Sequence, residues 1–104
     1  MPRLLNNWNF DDVVNFLKQH FFIEMPGNKT GHRFFQGYVD GKIRLLEVQF
    51  HSHKPISTKS LQHDIIPKSG IPENYWKRWA DAGNKKQRKK VQYKGATESN
   101  EISQ

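Results

Sequence analysis

The sequence predicts an α+β domain: a helix, three antiparallel strands packed under helices on one face, a second helix and a short extra helix toward the C-terminus. Three observations predict it. Apolar residues recur at helical spacing over Phe10, Val13, Val14 and Leu17. Two stretches rich in β-forming residues flank Asp40-Gly41, a dipeptide that favours a two-residue hairpin turn. A second run with helical spacing, Leu61, Ile65 and Ile66, follows Ser57-Thr58, either of which can cap a helix.

The first helix is expected to begin after Asn9. Its amide side chain can cap the first turn, and Asp12 three residues on completes a short-armed capping box. Trp8 and Val13 stand at the positions of a hydrophobic staple, and Asp11 and Asp12 place negative charge at the positive end of the helix dipole. The helix is expected to end near Gln19 or His20. Phe21 to Met25 then reads as a strand, and Pro26 to Gly31 as a turn or loop.

A second strand is expected from His32 to Val39 and a third from Lys42 to about Phe50. Along the third, period-two alternation puts Arg44, Leu46, Val48 and Phe50 on one face. Ile43, Leu45, Glu47 and Gln49 fall on the other. The polar stretch from His51 to Ser57 reads as a loop. Pro67 is expected to end or kink the second helix, because it removes a backbone donor and crowds the preceding turn. Pro72 can open the extra helix, running to about Ala82 with Tyr75, Trp76, Trp79 and Ala80 as its apolar side. Gly83 closes the expected folded part, and residues 84–104, without apolar periodicity, read as a basic, disordered tail.

The formal net charge of the 104 residues is +7, which suggests a polyanionic partner such as nucleic acid. The charge is uneven. Residues 84–104 carry six Lys or Arg against two Glu, leaving a mildly basic body. No cysteine is present, which excludes disulfides and thiolate metal sites. No apolar run approaches the roughly 20 residues of a membrane span. The N-terminus turns polar too soon for a secretory signal, so the expected location is the cytoplasm.

Among candidate functional residues, His32 opens the second strand. An imidazole, with a reference pKa of about 6.5, can move a proton at neutral pH. Spacing alone favours an ordinary histidine at a sheet edge for His32. His51 and His53, with His63 further on, lack a matched carboxylate or thiolate at metal-ligand spacing, so no metal site and no cofactor are expected. Lys29, Arg33, Lys54 and Lys59 fall on predicted loops or element ends near His32 and the start of the second helix. Phe34, Phe35, Tyr38 and Phe50 can either fill the core or stack on bases. Trp76 and Trp79 can either pack the last helix or form a partner patch. Arg44 has Glu47 and Asp40 as potential partners.

Two segments carry a resemblance. One is Lys29-Thr30-Gly31-His32-Arg33-Phe34-Phe35. The other runs from Val48-Gln49-Phe50-His51-Ser52-His53-Lys54 through Leu61 and Ile65-Ile66 to Ser69-Gly70-Ile71. Together, over about residues 10 to 72, they resemble the HicA family of toxin–antitoxin mRNA interferases. Gln49, His53 and Lys59 depart from that family's proline, glycine and glycine. The resemblance implies the α-β-β-β-α fold of double-stranded-RNA-binding domains and metal-independent endonucleolytic cleavage of mRNA. It implies His32 as the catalytic residue. From their places around His32 and the start of the second helix, Lys29, Gly31, Arg33, His51, Lys54 and Lys59 are expected to bind RNA, Lys54 and Lys59 as phosphate contacts at the helix N-terminus. The resemblance further implies a HicB-type antitoxin that masks the site and a toxin that is a monomer when free. The alternative reading is a non-catalytic RNA-binding module of the same fold. A third, a protein adaptor, would centre on Trp76 and Trp79.

Overall fold

The computed structural model describes residues 5, 8–26, 32–49, 54–82 and 84–98. Helix α1 (Phe10–Gln19) starts with the full capping box. The Asn9 side chain accepts the Asp12 N–H at 2.8 Å, and the Asp12 carboxylate accepts the Asn9 N–H at 3.1 Å. It ends in a Schellman turn: the Phe22 N–H reaches the Leu17 carbonyl at 3.0 Å and the Phe21 N–H the Lys18 carbonyl at 3.1 Å. Phe21 therefore sits in the left-handed region, at φ 68°. This shortens the strand expected from Phe21 to Met25. β1 is only Ile23–Glu24, because the helix cap consumes Phe21 and Phe22.

β2 (His32–Val39) and β3 (Lys42–Gln49) form the expected hairpin, paired without interruption from Val39↔Lys42 to His32↔Gln49. Asp40 and Gly41 both take positive φ, 55° and 76°, as a tight turn between right-twisted strands requires. Phe50 lies outside the described residues. β1 pairs with the free edge of β2 at Gln36 and Phe35.

The second helix is one continuous helical run: α2 (Thr58–Ser60), a π-turn over Leu61–Ile65, and α3 (Ile66–Ser69). Ser57 caps it, accepting the Ser60 N–H at 3.0 Å. Pro67 does not break it. The wider π-turn re-registers the backbone just ahead of the proline, which then needs no donor of its own at the start of α3. The run stops at Gly70, at φ 74°. Helix α4 (Glu73–Asp81) matches the expected extra helix.

The core fills the space between the inner face of the sheet and the helices. Phe35, Val39, Leu46 and Val48 point inward to meet Val13, Phe16, Leu17, Leu61 and Ile65. Trp76 and Trp79 are core residues. Trp76 stacks on Phe16 at 4.0 Å between ring centres, and Trp8 lies 5.0 Å from Trp79 and 5.5 Å from Trp76. Burying such rings dominates core energetics. The outer face of the sheet is uncovered: Ile23, Phe34, Ile43 and Leu45 are exposed. The described fold is thus α+β, an antiparallel sheet with its helical layer on one face. Among the described residues, no helix is long and apolar enough to cross a membrane.

The expectation of disorder from Asn84 fails for residues 84–98. These form a short helix, α5 (Lys85–Arg88), and a strand, β4 (Ala96–Thr97), that pairs with β2 at Val39 and Tyr38. Val91 and Ala96 are buried. Gln19 holds the segment from α1. Its side-chain amide donates to the carbonyls of Arg88 at 2.8 Å and Val91 at 2.9 Å, while its oxygen accepts the Trp79 indole N–H at 3.2 Å. Two apolar side chains suffice here because polar groups on the body satisfy the segment's backbone.

Candidate active site

Counting outward from the Asp40-Gly41 turn places Gln49 opposite His32 and Glu47 opposite Phe34. Residues opposite one another share a face of the sheet, so His32, Phe34, Glu47 and Gln49 all project from the outer face. His32 and Glu47 are diagonal neighbours there, and the Glu47 carboxylate hydrogen-bonds the Nδ1 of His32. Both side chains remain accessible, at 45 % and 34 % exposure. The bond to Nδ1 leaves Nε2 as the outward nitrogen, since a carboxylate accepts the Nδ1–H of the neutral ring.

Glu47 also lines a cleft of about 420 Å³ between the end of β3 and the start of the second helix. Gln49, Lys54, Ile56, Ser57, Ser60 and Asp64 share that lining. On the helix side Asp64 holds the Lys68 ammonium at 2.8 Å. The hydrogen bond and charge of Asp64, with a smaller contribution from Glu47, push the Lys68 ammonium above its usual range.

The sequence-predicted residues divide. Lys54 is brought to the cleft beside Glu47. Arg33 is not brought to His32. Strand alternation turns it to the opposite face, where it pairs with Glu24 at 2.8 Å and lies 5.8 Å from the centre of the Phe10 ring. Lys59 is exposed on α2, and its neighbour Ser60 lines the cleft instead. Lys29, Gly31 and His51 lie outside the described residues. Arg44 pairs with neither suggested carboxylate in a described contact; its Nε donates to the Val39 carbonyl at 3.4 Å. Phe35 is buried, Phe34 is exposed and Tyr38 is half-buried.

Sequence reasoning missed Glu47 as the partner of His32, though the two-residue turn carried the signal through its register. It also missed Asp64 and Ser60, which only the packing of the second helix brings to the cleft. Among the described residues, no group of three or more His, Cys, Asp or Glu could hold a metal ion. No family model, curated protein or solved structure matches the chain.

Proposed function

We propose that this protein is a small endoribonuclease of the HicA toxin type, with His32 as its catalytic group. The observation that carries the reading is the Glu47 carboxylate on His32 Nδ1, at an accessible position beside a cleft. That pairing orients the ring and leaves Nε2 to take a proton, as an imidazole general base requires. In this reaction Nε2 removes the proton of a ribose 2′-hydroxyl. The 2′-oxygen bonds to the adjacent phosphorus as the bond from phosphorus to the 5′-oxygen breaks, and the leaving 5′-oxygen takes a proton from Lys54 or from water. Glu47 stabilises the imidazolium in between, as a positioning residue.

The α-β-β-β-α order, which double-stranded-RNA-binding domains share, supports the same reading, as does the resemblance around Gly31-His32. The substrate in this account is mRNA in the cytoplasm. A HicB-type antitoxin would cover the outer sheet face, where exposed Phe34 lies beside His32 and exposed Leu45 and Ile43 continue toward the hairpin turn, offering apolar area to a partner. The test is cleavage of a labelled single-stranded RNA in EDTA by the wild type and by His32→Ala. Cutting by the wild type alone supports the proposal. RNA binding without cutting by either protein supports the non-catalytic binding module instead.

A further inference from the structure

The basic run that reads as tail is part of the folded body. Residues 84–98 contain six cations, Lys85, Lys86, Arg88, Lys89, Lys90 and Lys94, and one carboxylate, Glu98. Arg88 is partly covered, its guanidinium 4.2 Å from the centre of the Trp79 ring. The five lysines are exposed. None of them forms an ion pair with a described residue, whereas Lys68 and Lys77 are each matched by a carboxylate one helical turn away. The backbone that carries them is fixed by Gln19 and His20 at the end of α1 and by the β4 pairing with Tyr38 and Val39. Fixing five unneutralised ammonium groups on one short segment concentrates positive potential at a defined place.

We propose that this segment is a phosphate-backbone exosite, a surface that holds single-stranded nucleic acid away from the His32 site. Where the segment joins the body supports this geometry. Its anchors are the C-terminal end of α1 and the Val39 end of β2. His32 is at the other end of β2, roughly 23 Å away at the rise of an extended strand. The chemistry of the patch selects the partner. Its apolar residues Val91 and Ala96 are buried and Tyr93 packs half-buried against Tyr75, so the segment offers little apolar area to a bilayer or a protein interface. Apart from Glu98 at its end, what it exposes is chiefly ammonium and amide groups, which suit phosphodiester oxygens.

As a deepening of the proposed function, the exosite would raise affinity for long RNA without regard to sequence, leaving the chemistry to His32. The test is fluorescence anisotropy of a long labelled oligouridylate across a salt series, in a His32→Ala background so that the RNA stays intact. The comparison is with the same protein carrying Lys85→Gln, Lys86→Gln, Lys89→Gln and Lys90→Gln together. Gln keeps helix propensity close to that of Lys, so the packing is preserved. Four released counterions predict a log–log salt slope shallower by about 3, or about 50-fold less loss of affinity over a fourfold rise in salt. The pair Lys85→Gln and Lys86→Gln, the fallback if the quadruple variant does not fold, predicts half that change. An unchanged slope would overturn the proposal. So would equally tight binding of the unsubstituted protein to phosphatidylserine vesicles. A changed slope in a protein whose wild type never cuts RNA leaves the exosite standing and removes the catalytic reading; cutting with an unchanged slope does the reverse.

Discussion

The backbone N–H of Tyr93 donates to Nε2 of His20 at 3.0 Å, so the buried imidazole on α1 accepts a hydrogen bond from the C-terminal segment. The other ring nitrogen, Nδ1, donates to the Phe16 carbonyl at 2.9 Å, and the ring stacks on Phe16. Both contacts need the neutral tautomer with its proton on Nδ1. Burial lowers the His20 pKa, partly opposed by the bond to Phe16.

That shift makes stability depend on pH in one direction. Below about 6.5, the ordinary histidine value, the unfolded chain binds a proton at His20 that the native state does not. Stability is therefore expected to fall as pH drops below that value, until the lowered native pKa is reached. Urea midpoints measured at neutral and mildly acidic pH should decline more for the wild type than for His20→Gln. Equal declines would remove His20 as the cause.

Gln19 is the second tie to the same segment. Replacing it with Ala deletes three side-chain hydrogen bonds and leaves the Arg88 and Val91 carbonyls without that donor. A loss of about 1–3 kcal/mol is expected, allowing for solvent access to part of the site. Hydrogen exchange checks its location: residues 88 to 97 should exchange faster while the β2–β3 hairpin keeps its protection.

Gly37 lies against the Phe22 ring, where an added Cβ would come within 2.6 Å of Cδ1. Phe22 is buried in the core. Gly37→Ala is expected to cost about 1–3 kcal/mol, as overpacking does, measured by denaturant unfolding. Gly70→Ala is expected to cost a comparable amount for a second reason as well, its left-handed backbone at φ 74°.

Glu47→Gln keeps the size of the side chain but removes the charge that stabilises an imidazolium. In the ribonuclease account it should lower kcat with little change in KM, and Glu47→Asp should recover part of the loss. A change confined to KM would contradict a positioning role for Glu47.

The local signals in the sequence were the legible ones. Asn9 and Asp12, Asp40-Gly41, Ser57 and Pro72 each act within a few residues, and each element they delimit is present in the expected place. What escaped depends on distant partners. Phe21 looks like a strand residue until the cap of α1 claims it. Residues 84–98 look like solvated tail because their anchors, Gln19 and His20, are about 70 positions earlier. At the site, alternation already separates Arg33 from His32, and the hairpin register already places Glu47 beside His32. Ser60 and Asp64 were beyond reach, since only the tertiary placement of the second helix brings them to the cleft.

Catalysis by His32 stands or falls on cleavage of a labelled single-stranded RNA in EDTA, comparing wild type with His32→Ala of equal thermal stability. The wild type is expected to cut and the variant to lose about 100- to 10,000-fold in rate, the range of general acid–base catalysis. Equal cutting by the two proteins would contradict a catalytic His32.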